Sequence, residues 1–321
     1  MKRFLCLILM LSLLTNCDDG DLTVDTIEFE DVNASSCENL IYKINDTEAL
    51  IIEIPNIENV IVNDPTPLDE PMILEINGTS TRVIYRSYSG NVSAASFCGN
   101  IPPPEPVVEE EWTASSGTIE ITTTAVKTPN DDLEGGEVIT GYRHQIIFRN
   151  IEFDKPEGSQ LYEEFMFGNY TTSATNLTFA FTDEADRCSS GRLYNWISAE
   201  LIMIDNLQSG LIANTITPLG QPRTALIGAE NNTLTYSVFP GGLSTAYDFC
   251  ALTLPGTPQP IQVWTGAAGV EGMSGVIEVT TTTTSGGFLH EIHLRNVLLQ
   301  SGNSEFVLAD DFLFGTIITS N

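Results

Sequence analysis

The chain states nearly the same sequence twice, and that limits its folds more than any other feature. Cys37, Thr66-Pro67-Leu68, Pro71, Tyr85, Phe97-Cys98 and Trp112-Thr113 recur as Cys188, Thr217-Pro218-Leu219, Pro222, Tyr236, Phe249-Cys250 and Trp264-Thr265, displaced by 151 or 152 residues. Gly117 to Thr124 returns as Gly275 to Thr282, His144 to Asn150 as His290 to Asn296, and Phe165 to Gly168 as Phe312 to Gly315. Each copy is long enough to bury a core of its own. The expectation is two tandem domains, 22–172 and 173–321. The duplication also acts as a filter: a residue in both copies serves the fold, and a site is sought among residues that only one copy has.

Both copies read as strands. Thr118 to Thr124 and Val276 to Thr282 alternate apolar and polar residues and are dense in β-branched types, which suit a half-buried pleated surface. Arg82 to Tyr88, Thr233 to Phe239, Leu50 to Ile54 and Leu201 to Ile204 behave alike, and Ser285-Gly286-Gly287 marks a hairpin turn. No amphipathic stretch of helical length stands out. The fold class expected is all-β: two tandem antiparallel β-sandwiches of seven to nine short strands each, Ig-like or jelly-roll-like.

Residues 1–16 read as a signal peptide: Lys2-Arg3, an apolar run from Phe4 to Leu14, then Leu14-Thr15-Asn16-Cys17. A run of 11 residues is shorter than the roughly 20 needed to span a membrane as a helix. Leu14-Thr15-Asn16-Cys17 resembles the lipobox of bacterial lipoproteins, whose cysteine receives a diacylglycerol thioether. Cys17-Asp18-Asp19-Gly20-Asp21 resembles the export signal of surface lipoproteins from the Bacteroidota, and looks like the start of a group of flavobacterial lipoproteins of uncharacterised function. The resemblance covers about the first 30 residues. It implies lipid attachment at Cys17, an outer-membrane anchor and display at the cell surface. The tether 17–21 would reach at most ~18 Å.

Removing residues 1–16, which hold two basic and no acidic side chains, takes the formal net charge from −30 to −32. A field of that sign repels nucleic acid and anionic head groups, so the membrane is a partner through the lipid and not through charge. The acid is uneven: residues 17–172 carry 30 Asp and Glu, residues 173–321 only 13. Four cysteines remain beyond Cys6 and Cys17. Four allow three pairings, and the duplication favours Cys37 with Cys98 and Cys188 with Cys250, in keeping with an oxidising compartment.

Each candidate for chemistry has a plainer role beside it. His144 and His290 occur in both copies on apolar strand faces, as inner-face residues would. His293 stands where the first copy has Ile147, beside Glu291 and Arg295, and reads as a surface residue. Trp112, Trp264 and Trp196 could stack on a sugar but read as core. Glu163-Glu164 and Asp310-Asp311 are adjacent on strands, so their carboxylates diverge and do not flank one glycosidic bond. One element separates the copies: 27 residues lie from Gly117 to His144, against 15 from Gly275 to His290. The insertion carries Asn130, Asp131, Asp132 and Glu134 beside Gly135-Gly136, oxygen ligands of the kind calcium takes, outside the EF-hand pattern. No nucleophile-elbow, zincin, Walker or dinucleotide motif occurs. The function expected is a non-catalytic binding or structural module for a glycan or protein partner. The alternatives are an extracellular glycan hydrolase and an accessory subunit of an outer-membrane uptake complex.

Overall fold

The computed structural model describes residues 26–99, 101–175 and 177–320. The signal peptide and Cys17 to Asp21 lie outside the described residues. The first repeat consists of β1 (Ser35–Cys37), β2 (Leu40–Asn45), β3 (Glu48–Glu53), β4 (Met72–Glu75), β5 (Arg82–Tyr88), β6 (Val108–Pro129), β7 (Glu137–Lys155) and β8 (Gly158–Ser173). The second consists of β9 (Asp186–Arg187), β10 (Leu193–Ile197), β11 (Glu200–Asp205), β12 (Arg223–Leu226), β13 (Thr233–Val238), β14 (Gln262–Gly266), β15 (Val276–Thr284), β16 (Gly287–Arg295), β17 (Leu298–Ser301), β18 (Ser304–Val307) and β19 (Asp311–Thr319). Every strand pairing between them is antiparallel. The all-β class is therefore as the sequence implies.

The repeats solve one problem in two ways. In the second, a seven-stranded sheet (β18-β17-β14-β13-β11-β10-β9) and a four-stranded sheet (β12-β15-β16-β19) are separate. Between them lie Leu193, Ile202, Tyr236, Trp264 and Phe306 from the larger sheet, with Ile277, Ile292, Leu294 and Phe314 from the smaller. In the first repeat, β6, β7 and β8 are 22, 19 and 16 residues long and pass through both halves, so all eight strands are hydrogen-bonded as one sheet. The strand β6 pairs with β5 over Val108–Thr113 and with β4 over Thr118–Ile121, with register shifts at Ser116 between. Such bulges bend a strand and let it change sheets. Short strands in the second repeat thus correspond to halves of long ones in the first, which is why the strand counts differ.

The inner strands β3 and β11 are buried on both faces, which explains apolar runs such as Leu50-Ile51-Ile52. One face joins the main core. The other is covered by the loop that carries the second cysteine: Phe97 and Cys98 against Tyr42, Ile51 and Ile84 in the first repeat, Phe249 against Leu201 and Met203 in the second. Disulfides Cys37–Cys98 and Cys188–Cys250 pin those loops. Trp196 belongs to this outer layer, 5.3 Å from the Phe249 ring, and not to the main core.

Candidate functional site

The two histidines shared by the repeats are consumed by the fold. His144 is fully buried, with Nδ1 2.9 Å from Thr123 Oγ1 and Nε2 3.0 Å from Thr172 Oγ1. Thr172 donates its own proton to Asn63 Oδ1 at 2.5 Å, and Asn63 Nδ2 donates to the Ser173 carbonyl. The chain has one direction: Thr172 can only accept from Nε2–H, and Nδ1 accepts from Thr123. That fixes a neutral Nε2–H imidazole, and burial holds its pKa down to about 4. His290 repeats the arrangement with Thr281, Thr319, Asn214 and the Ser320 carbonyl, its pKa also lowered by burial and by Arg223 and Arg187. Neither is placed to act as an exchanging base.

The shared arginines are likewise engaged. Arg149 pairs with Glu120 and Glu164, and Arg295 with Glu278 and Asp311. His293, present in one copy, sits on the outer face of the four-stranded sheet, with Nδ1 2.6 Å from Asp311 and Nε2 3.2 Å from Glu291. Ile147 at the equivalent place in the first repeat leaves Arg149 alone with its two glutamates. Glu163 is not part of that group, and Asp310 faces away toward the insertion loop described next, so neither acidic pair acts as a unit. Among the described residues no three His, Cys, Asp or Glu side chains are grouped so as to hold a metal ion.

The element that distinguishes the copies forms one of the contacts between them. The 127–137 insertion extends the β6–β7 hairpin beyond the first repeat and clasps the second. Glu134 O accepts from Asp310 N, and Glu137 Oε2 accepts from Val307 N and from Lys127 Nζ, each at 2.9 Å. Burial would raise the Glu137 pKa, but the Val307 and Lys127 hydrogen bonds outweigh it and lower it. Gly135 faces the Asp310 carboxylate so closely that any Cβ would overlap it. Leu133 packs on the core of the second repeat, and Ile139 and Tyr142 are members of it. Of the four residues read as calcium ligands, Asn130 uses Oδ1 to cap Asp132 N, Glu134 contributes its backbone carbonyl to the clasp, and Asp131 and Asp132 are exposed. If these oxygens did hold calcium, millimolar Ca²⁺ would raise the melting temperature of the full chain beyond matched NaCl, and Asp131→Ala with Asp132→Ala would abolish the rise. With the loop placed as a clasp, we expect Ca²⁺ and matched NaCl to give equal melting curves.

Next to the clasp is a polar seat. The β17–β18 turn of the second repeat enters the end of the first: Asn303 N donates to Thr66 O at 2.9 Å, and Asn303 Nδ2 to Thr66 Oγ1 and Thr123 O at 3.1 and 3.0 Å. Ser304 Oγ accepts from Ala125 N and donates to Asn303 Oδ1. Gly302, at φ 52°, lies against the carbonyls of Pro65 and Thr66, where a Cβ would overlap both. Beside this seat opens a cleft of about 280 Å³ lined by Pro67, Leu68, Glu70, Thr124 and Asn303, and a second cleft, of about 590 Å³, is lined by Glu58, Asn63, Asp64, Thr172, Ile261 and Gln262. Burial raises the Asp64 pKa there. Comparison with protein-family models, with curated proteins and with solved structures returns no match. The site has to be read from its own chemistry.

Sequence reasoning passed over Thr66, Asn303, Tyr142 and Glu200. Glu200 is a buried carboxylate that accepts from Thr178 N, Thr178 Oγ1, Phe179 N and Tyr236 Oη. The recurrence of Thr66-Pro67-Leu68 as Thr217-Pro218-Leu219 was the available signal for the seat. Leu68 and Leu219 are 70% and 103% exposed, so the leucine of this tripeptide is repeated without being core.

Proposed function

We propose that this chain is a lipid-anchored, non-catalytic binding or structural module that presents two coupled β-domains outside the cytoplasm. One observation carries the reading: the residues able to do chemistry in both copies are spent on holding the fold. The histidines are fixed neutral between threonines, the arginines are ion-paired and the cysteines are bridged. The order of the parts fits an anchor at Cys17. The chain enters the first repeat where Asn45 and Lys43 bond the carbonyls of Glu28 and Phe29. The matching entry of the second repeat, where Thr178 and Phe179 bond Glu200, lies toward the first. On this reading the entry of the first repeat stands nearest the membrane and the Thr217–Leu219 end farthest from it.

Cys17→Ala is expected to abolish labelling of the precursor by a metabolically supplied fatty acid, because no other residue offers the thioether position. Labelling that persists would overturn the anchor. Replacing Asp18, Asp19 and Asp21 by Ala should keep the lipid but reduce protease access on intact cells. Binding is separated from hydrolysis by a glycan panel read for both retention and release of reducing ends; release would overturn the non-catalytic reading.

A further inference from the structure

The second repeat keeps the seat that the first uses, with no turn of the described residues in it; there Thr217 Oγ1 also accepts from Thr281 N, and the Arg223 guanidinium donates to Thr281 Oγ1. Thr217 N donates to Thr281 O at 3.1 Å, as Thr66 N does to Thr123 O at the same distance. Thr217 Oγ1 and Thr66 Oγ1 make the same second contact to those carbonyls, at 3.4 and 3.5 Å. Asn214 bonds Thr319 and Ser320 as Asn63 bonds Thr172 and Ser173. His290 braces Thr281 as His144 braces Thr123. We propose that this end of the second repeat is the docking seat for a partner protein's β-hairpin whose turn is glycine followed by asparagine.

The occupant's chemistry follows from the filled seat. Position one of the turn needs a positive φ and no Cβ, since Gly302 abuts two carbonyl oxygens. Position two needs a side-chain amide, whose N–H groups reach a threonine hydroxyl and the carbonyl that the threonine itself caps. The surface around this second seat suits a protein. Segments 211–222, 279–290 and 315–320 contain no Asp, Glu, Lys or Arg in a chain of net charge −30. The charges that border them include Arg223, whose guanidinium is bonded to Thr281 Oγ1 and to the Leu211 and Thr215 carbonyls, and Glu184, Asp186 and Arg187 beside Thr316 to Thr319. Leu219, Ile318 and Ile216 are 103%, 65% and 57% exposed, an apolar rim beside threonines. A second copy of this chain does not fit. Its Gly302-Asn303 turn is already seated on its own first repeat, and its other tip, between β7 and β8, has Pro156-Glu157 at those two positions. Proline holds φ near about −65° and cannot take the required conformation. The second repeat also lacks the clasp, having a two-residue turn at Ser285-Gly286 where the first has the insertion. Docking there relies on the seat alone and is reversible.

This deepens the binding-module reading but does not depend on the lipid, so either can fail without the other. The probe is a disulfide-closed hairpin peptide with the sequence of residues 298–307, titrated at millimolar concentration into the isotope-labelled chain lacking its signal peptide. Saturable amide shifts are expected at Thr217, Thr281 and Asn214. They should vanish when the probe's glycine is replaced by proline, and weaken about ten-fold in Leu219→Glu, a substitution at a fully exposed position that leaves the fold intact. Absence of shifts at Thr217 and Thr281, or equal shifts with the proline probe, would overturn the proposal. So would self-association of the chain that Leu219→Glu abolishes, which would assign the seat to a second copy.

Discussion

Tyr142→Ala is expected to destabilise the second repeat by about 3–5 kcal/mol, although the residue belongs to the first. Its ring is fully buried in the cluster that contains Phe179, Tyr236, Trp264 and Phe306. Truncation leaves a cavity that the surrounding strands cannot close, because they are held in register from both sheets. The hydroxyl is a separate matter. Among the described residues Tyr142 Oη has no hydrogen-bond partner, and its pKa is raised by burial and then by Asp64. Tyr142→Phe removes an unpaired buried donor and should be neutral, or stabilising by up to ~1 kcal/mol. Denaturant unfolding followed by tryptophan fluorescence reads both variants. A loss in Tyr142→Ala confined to the first repeat, or a loss in Tyr142→Phe as large as in Tyr142→Ala, would show that the repeats do not share this core.

The second large effect is acid lability centred on the two threonine-braced histidines. His144 titrates at about 4 when folded, against 6.5 for the free side chain, because burial disfavours the cation. The folded state therefore binds fewer protons than the unfolded one below pH 6.5. The stabilisation is present in full above that value and is lost as pH falls toward 4. The shift corresponds to roughly 3 kcal/mol, of which solvent screening leaves ~2 kcal/mol. His290 is lowered for the same first cause and acts in the same direction. Asp64, raised by burial, acts in the opposite sense and offsets part of the slope. Protonation at Nδ1 also removes the acceptor for Thr123, whose carbonyl holds Asn303, so the contact between the repeats should loosen with the core. Urea midpoints from neutral pH to about pH 4 should fall in the wild type, and less steeply in His144→Gln and His290→Gln. Midpoints flat over that range, or slopes unchanged in the variants, would refute the account.

How much of this was legible beforehand depends on which interactions are local. Alternation in Thr118 to Thr124 and in Val276 to Thr282 gave strands because side-chain direction along a strand is a two-residue property. The cysteine pairs followed from equal spacing in two copies, and the histidines' apolar faces followed from neighbours two residues away. The insertion stood out as the element peculiar to one copy, but its oxygens suggested calcium. A hairpin's reach depends on what stands opposite its tip, here Val307 to Asp310, some 170 residues away in the chain.

The sequence by itself determined the all-β class, the partners of the four cysteines and the recurrence of the Thr-Pro-Leu tripeptide, since each rests on periodicity or on comparison of the chain with itself. Only the tertiary structure decided that three long strands in one repeat match six short ones in the other, that Tyr142 completes its neighbour's core, and that the Gly302-Asn303 turn is seated on the first of the two Thr-Pro-Leu ends. Those facts depend on bulges that redirect strands and on contacts between residues distant in the chain, where packing and the satisfaction of buried polar groups, not local preference, select the arrangement.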